Sequence, residues 1–116
     1  MGEEQRRAPR ITRPFMIRYR RESEAAWLVS PLRDLSSGGA RFFSERPFEV
    51  GALLEAQLAL PVSAQPIAVN VKVAWAKPAP LNMVEVGVTF DPGDTMLQQT
   101  IDAAVAHFLS RKDKPR

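Results

Sequence analysis

The chain has 116 residues, 45% of them hydrophobic, which is typical of one globular domain with its own core. It contains no cysteine and a single histidine, which excludes disulfides, thiolate metal sites and sites built from several histidines. The net charge of +3 is too small to indicate a polyanionic partner by itself. No apolar run reaches signal-peptide length or the ~20 residues that span a bilayer, so we expect a soluble, cytoplasmic protein without membrane insertion.

Residues 1–12, MGEEQRRAPRIT, contain almost no apolar side chains, which favours a flexible N-terminal arm over a packed element. Within this arm begins a cluster of seven arginines in sixteen residues: Arg6, Arg7, Arg10, Arg13, Arg18, Arg20 and Arg21. A guanidinium is planar, matches phosphate and guanine edges, and stacks on flat rings. The cluster therefore favours an anionic ligand with a ring to stack on, although a solvated basic arm would have the same composition.

Three short strands are predicted after the arm. In PFMIRYR, residues alternate so that Phe15, Ile17 and Tyr19 share one face, as in a half-buried strand. The segment AWLVSPL predicts a second strand, in which Pro31 indicates an edge or a bulge. The third strand, ARFFSE, follows a turn that contains two glycines.

Three further strands are predicted from residue 52 onward. The segment ALLEAQLALP is ambiguous, because its residues favour a helix while its apolar residues alternate; we predict a strand. IAVNVKVAWA is the clearest strand, and one of its faces carries Val69, Val71, Val73 and Trp75. Trp75 is therefore expected to pack in the core at a barrel end, and a stacking contact with a ligand stays open. MVEVGVTF is predicted to be the hairpin partner of this strand.

From Asp94 to Lys112 the apolar residues recur at steps of three and four, which predicts a helix. Its apolar stripe comprises Leu97, Ile101, Ala104, Val105, Phe108 and Leu109, and Met96 would widen this stripe at its start. Asp94 or Thr95 is expected to cap the helix, and residues 112–116 are expected to fray. His107 is predicted to be a surface or half-buried residue, since the spacing indicates no catalytic partner for it.

Six or so antiparallel strands followed by one helix predict a small all-β barrel, with the helix plugging an open end or covering one side. This domain is predicted to span residues 13–116, including the C-terminal helix and a short frayed tail.

Two short motifs carry the chemistry. RRAPR places Arg6 and Arg10 four residues apart, and DLSSGG places Asp34, Ser36 and Gly39 in the pattern D-x-S-x-x-G. In this order and spacing the two motifs resemble the PilZ family of bacterial cyclic di-GMP receptors, which use an R-x-x-x-R arm and a [DN]-x-S-x-x-G turn. The resemblance implies a six-stranded antiparallel β-barrel with a C-terminal helix, no cofactor, and cyclic di-GMP as the ligand.

The residue types suit that ligand. Guanine presents O6 and N7 acceptors to a guanidinium and a flat face for stacking, while its N1–H and N2–H donors suit a carboxylate such as Asp34. The Ser36 hydroxyl could reach a phosphate or a base, and Gly39 permits close backbone approach or positive φ. The predicted ligand-binding residues are therefore Arg6, Arg7, Arg10, Asp34, Ser36, Gly38 and Gly39.

The leading interpretation is a non-enzymatic receptor that relays cyclic di-GMP binding to a downstream protein partner by a conformational change. An alternative is a PilZ-fold interaction module that binds no nucleotide, and in that case DLSSGG is only a turn capped by Asp34 and Ser36. The modest net charge and few aromatic residues argue against a general nucleic-acid binder. An enzyme is disfavoured because no acid–base pair, metal cluster or P-loop is present in the sequence.

Overall fold

The structure is a computed structural model that describes residues 15–59, 65–91, 93 and 95–113, with only the backbone described for residues 110–113. The arm predicted over residues 1–12, with Arg6, Arg7 and Arg10, lies outside the described residues. Asp94 and residues 114–116 also lie outside them.

Six strands and one helix follow each other along the chain. The elements are β1 (Met16–Arg21), β2 (Leu28–Leu35), β3 (Gly39–Ser44), β4 (Leu53–Ala59), β5 (Ile67–Ala79), β6 (Met83–Asp91) and α1 (Thr95–Asp113). The strands form a closed antiparallel barrel in the order β1-β2-β3-β6-β5-β4. This confirms the predicted six-stranded barrel with a C-terminal helix.

The barrel closes where β1 pairs with β4, from Met16 opposite Ala59 to Arg21 opposite Leu54. This pairing answers the ambiguity of residues 52–61: in β4, Leu54, Ala56 and Leu58 are buried on the inner face. Sheet pairing outweighs the helix-favouring composition, because only an extended chain directs these alternate side chains into one core.

Irregularities occur in two of the strand pairs. Between β2 and β3 the register shifts between Leu32 and Asp34, so the predicted bulge lies just beyond Pro31. Pro31 is not on an edge, because the barrel is closed. Between β5 and β6 the register shifts between Val73 and Trp75.

The second shift makes the prediction of a buried Trp75 wrong. Along β5, Val69, Val71 and Val73 are buried, but Trp75 is 38% exposed. An extra residue in a bulge reverses the alternation, so every side chain beyond it changes face. Trp75 thus lies on the outer surface of the barrel.

Helix α1 packs on the barrel through Ile101, Ala104 and Phe108, which are all buried. The Phe108 ring meets the Phe15 ring edge-on at 5.1 Å between centroids, and half-buried His107 stacks on Phe15 at 5.9 Å. The predicted stripe is too wide, because Met96 is 76% exposed and Leu109 is 44% exposed. Each helical residue is rotated by about 100°, which places these two residues on either side of the packed face. Lys112 and Asp113 are helical rather than frayed.

Candidate functional site

The segment Ser36–Gly39 forms a tight turn between β2 and β3. The Ser36 N–H donates to the Gly39 carbonyl at 2.8 Å, and the Gly39 N–H donates to the Ser36 carbonyl at 3.4 Å. The Ser36 hydroxyl also donates to the Gly39 carbonyl, at 3.3 Å. Only Ser37 and Gly38 are left to make the turn, so the predicted motif lies at the tip of a hairpin.

Asp34 stands just before this turn, immediately after the bulge in β2. Its Oδ1 accepts the backbone N–H of Leu35 at 3.0 Å, and no described residue donates to its Oδ2. The bulge turns the half-buried carboxylate outward beside the turn. One acceptor oxygen is thus available to a ligand, while the other holds the side chain in place.

The two glycines of the turn have different roles. A Cβ at Gly39 would collide with the Val88 carbonyl oxygen of β6, whereas a Cβ at Gly38 would meet nothing. Neither glycine has a positive φ. Of the two reasons expected for Gly39, close approach is therefore the one that applies, and the neighbour is the adjacent strand. The Gly38 carbonyl accepts the Phe90 N–H at 2.9 Å, which fixes the turn against β6.

The start of the helix contacts the same turn. Gln98 Nε2 donates to the Ser37 carbonyl at 3.1 Å and to Asp102 Oδ1 at 2.9 Å. This half-buried side chain provides a direct contact between the motif and α1.

A shallow depression of about 460 Å³, called here the turn depression, opens beside the turn. It is lined by Asp34, Leu35, Ser36, Gly38, Gly39, Ala40, Arg41, Ala74, Trp75, Gly87, Val88 and Thr89. The four predicted site residues that the structure describes, Asp34, Ser36, Gly38 and Gly39, are therefore together at one surface. It stays a prediction that the arm places Arg6, Arg7 and Arg10 beside the turn depression.

Trp75 provides an aromatic wall of the turn depression. Its indole lies so close over Gly87 that a Cβ at this glycine would overlap the ring. The Lys77 ammonium lies 5.5 Å from the centroid of the same ring. An absent side chain at Gly87 thus lets the indole lie flat on β6 with part of its surface open to solvent.

Arg41 is the cation of the turn depression, on β3 directly opposite Asp34 in the β2–β3 register. Its guanidinium donates to Glu85 Oε2, and Lys77 lies 3.7 Å from Glu85 Oε1. The hydrogen bond from Arg41 is the main reason that the pKa of Glu85 lies below its ordinary value. Glu85 therefore holds Arg41 in place and neutralises part of its charge.

Sequence reasoning missed Arg41, and it placed Trp75 in the core while leaving a ligand contact open. Arg41 could have been found, because it is two residues after Gly39 and a strand repeats its faces every two residues. Trp75 could not, because no residue in IAVNVKVAWA signals the bulge that turns it outward. Within the described residues, no cluster of three or more His, Cys, Asp or Glu side chains could hold a metal ion.

The fold and the turn together define a small barrel with a ligand-sized surface beside a D-x-S-x-x-G hairpin. The PilZ domain family matches residues 4–107, and the chain belongs to this family. No significant match was found among curated protein sequences. In the described part of the chain, no helix is both long enough and apolar enough to cross a membrane.

Solved structures with the same fold include three bacterial proteins. MrkH of K. pneumonia in its apo state has a TM-score of 0.72 at 22% identity, covering 95% of this chain and 55% of that one. The Bacillus subtilis inhibitor of motility MotI/DgrA has a TM-score of 0.65 at 16% identity, covering 88% of this chain and 49% of that one. The PilZ domain of YcgR from Escherichia coli, solved with c-di-GMP, has a TM-score of 0.60 at 13% identity, covering 88% and 89%. The chain spans about half the length of the MrkH and MotI structures.

Proposed function

We propose that this chain is a cytoplasmic receptor for cyclic di-GMP that catalyses no reaction and relays binding to a partner protein. The proposed ligand-binding residues are Arg6, Arg7, Arg10, Asp34, Ser36, Gly38 and Gly39. The observation that carries the proposal is the turn depression, where a carboxylate, a hydroxyl, a guanidinium and an indole line one open surface. A structure of the YcgR PilZ domain has been solved with c-di-GMP, which supports the same ligand here.

The hydrogen-bonding groups and the aromatic ring of the turn depression match those that guanine requires. The open Oδ2 of Asp34 can accept from the N1–H and N2–H edge of the base, which offers only donors there. The Trp75 indole presents a flat surface for a purine ring, and such base–aromatic stacking contributes about 1–3 kcal/mol per base. Arg41 and the arginines of the arm would supply positive charge for the phosphates.

The start of the described chain supports the participation of the arm. The Phe15 carbonyl accepts the Leu32 N–H at 2.8 Å, so the chain enters the barrel beside β2. Asp34 follows Leu32 by two residues, which is about 7 Å along a strand. Arg10 is five positions before Phe15, and an extended chain covers about 17 Å over five positions. Arg10 is therefore within reach of the turn depression.

Calorimetric titration with cyclic di-GMP tests the proposal. We expect saturable binding that is selective over GMP and cyclic AMP. Asp34→Ala and Arg10→Ala should each weaken the affinity about 10- to 100-fold, the usual cost of a lost charge-assisted hydrogen bond. Arg10→Lys keeps the charge but loses the planar fork, so its affinity should fall between those of the native protein and Arg10→Ala.

Glu22→Ala provides the control, since Glu22 is an exposed carboxylate in the β1–β2 connection at the other end of the barrel. Its affinity should equal that of the native protein. A ligand that engages the arm should also slow amide exchange in residues 1–12. Native protein that binds no cyclic di-GMP, or equal affinities for all variants, would rule the proposal out.

A further inference from the structure

A second surface lies on the outer face of β1, β2 and β3, away from the turn depression. Val29 is 56% exposed there, opposite Arg18 on β1. The surface forms an open groove of about 420 Å³, with apolar lining from Trp27, Val29, Pro31, Phe43 and Met83. We call it the β2 groove. Ser30 and Glu45 add polar atoms to this lining, and a groove of this volume accommodates one or two large side chains.

Two guanidiniums flank the apolar lining of the β2 groove. Arg18 lies 5.1 Å from the Trp27 ring, and Arg33 lies 5.3 Å from the Phe43 ring. Arg18 also donates to the neutral amide oxygen of Gln57 at 3.1 Å. The contacts with these rings hold both cations at the groove without neutralising their charge.

These two arginines differ from the other arginines whose side chains the structure describes. Each of the other four pairs with a glutamate: Arg20 with Glu55, Arg21 with Glu49, Arg41 with Glu85 and Arg46 with Glu24. Among the described residues, no carboxylate pairs with Arg18 or Arg33. Among the described arginines, those without a carboxylate partner therefore lie on the two sides of the exposed β2 groove.

We propose that the β2 groove binds a segment of a partner protein in which apolar side chains are flanked by carboxylates. Arg18 lies on β1 opposite Val29, and Arg33 lies four residues beyond Val29 on β2, which is about 13 Å along the strand. This offset matches two acidic residues separated by two to three turns of a helix. The apolar side chains between those acidic residues would enter the groove. This binding does not require the nucleotide.

The charge pattern favours a protein over a polyanion. Two free arginines are few for a nucleic acid, which is bound through many phosphate contacts. Exposed Glu45 also lines the groove and would repel phosphates and carboxylates alike. A segment with two acidic residues placed at Arg18 and Arg33 can avoid Glu45, whereas a uniformly charged polyanion cannot. A bilayer surface would be matched by a protruding apolar face, whereas the apolar lining here is concave.

Titration of the ¹⁵N-labelled full chain with two synthetic peptides tests this proposal. The first peptide is a helix of about 16 residues with a leucine stripe flanked by glutamates, and the second carries lysine in place of each glutamate. We expect saturable shifts at Arg18, Val29 and Phe43 with the first peptide only. Arg18→Glu combined with Arg33→Glu should weaken this binding about tenfold or more, through lost attraction and added repulsion.

Two further variants complete the experiment. Lys72 is an exposed residue of β5, on the opposite side of the barrel. The Lys72→Glu variant makes the same kind of charge reversal there and should bind the first peptide with the affinity of the native protein. Val29→Ser changes an exposed side chain without altering charge, and should weaken binding without lowering the melting temperature.

Three results would overturn the proposal. One is no saturable binding of the acidic peptide. Another is equal binding of the lysine peptide or of the Arg18→Glu, Arg33→Glu variant. The third is binding of the native chain to vesicles of equal parts phosphatidylglycerol and phosphatidylcholine, or to single-stranded DNA, through the same residues while the acidic peptide gives no shifts.

Discussion

The two ends of the barrel use the same kinds of residue in opposite ways. At the end where β1 and β3 finish, Arg21 pairs with Glu49 at 2.8 Å and Arg46 pairs with Glu24 at 2.6 Å. Both guanidiniums lie 5.2 Å from the buried Phe48 ring between them. At the other end, the turn depression leaves one oxygen of Asp34 without a described donor and the Trp75 ring partly open.

The difference separates side chains that hold the fold from side chains that can hold a ligand. Around Phe48, charged groups compensate each other, so a ligand would have to break ion pairs before it could bind. In the turn depression, the backbone is fixed by hydrogen bonds to Gly38 and Gly39 while side chains keep free acceptors and an exposed ring. A rigid backbone that presents free hydrogen-bond acceptors and an exposed ring allows a ligand to bind at a low entropic cost.

The largest expected effect is at the Phe48 end. Phe48→Ala should destabilise the protein by about 3–5 kcal/mol, because it empties a buried site beside the Tyr19 ring and removes the surface on which two arginines stack. Chemical denaturation would measure this. Phe48→Leu should cost clearly less, since it keeps most of the apolar volume. If the remaining folded protein bound cyclic di-GMP more weakly, the two ends would not be independent.

The second-largest effect on stability is expected at the two adjacent glycines of the turn. Gly39→Ala should cost about 1–3 kcal/mol, because its methyl group meets the backbone carbonyl of Val88 and β6 would have to shift. Gly38→Ala is the matched control, one residue away and in open space, and should change stability by no more than about 0.5 kcal/mol. Equal denaturation midpoints for the two variants would contradict the close approach described here.

The two tryptophans distinguish the two ends in binding. Trp75→Ala should weaken cyclic di-GMP binding about tenfold, the effect of losing one stacking surface. Trp27 is the control, because its ring lies 4.2 Å from the Arg20 guanidinium and belongs to the β2 groove rather than to the turn depression. Trp27→Ala should leave nucleotide affinity unchanged in the same calorimetric titration. Unchanged affinity in Trp75→Ala would exclude the indole from the site.

The smallest effect is the pH dependence of the Phe48 end. Hydrogen bonds from Arg46 and Arg21 hold the pKa values of Glu24 and Glu49, respectively, below the ordinary 4.5. Because the folded state binds these protons less readily than the unfolded state, this stabilisation is complete above pH 4.5 and is lost as the pH falls through the folded pKa values.

Denaturation midpoints between neutral pH and pH 3 would measure this loss. Glu24→Gln combined with Glu49→Gln should flatten the acid dependence, but only modestly, because solvent screens these exposed pairs. An unchanged slope in the double variant would show that the acid sensitivity comes from other carboxylates.

Local patterns in the chain were sufficient for most of the architecture. Alternation predicted β1, β4 and β5, and the steps of three and four predicted α1, because strand and helix periods depend on backbone geometry that neighbouring residues share. The same locality made the D-x-S-x-x-G turn recognisable, since all its residues lie within six positions. The outward position of Arg41 also follows from strand alternation, once Gly39 is placed on the outer face.

Tertiary structure decided what depends on contacts between distant residues. The outward position of Trp75 arises from a register shift against β6, and the need for glycine at position 39 arises from the Val88 carbonyl, which is nearly fifty residues away in sequence. The width of the α1 stripe likewise depends on how far the barrel surface extends beneath the helix. The sequence of a segment determines its conformational preference, but strand register and side-chain packing depend on contacts between distant segments. The shape of the binding surface therefore depends on the tertiary structure.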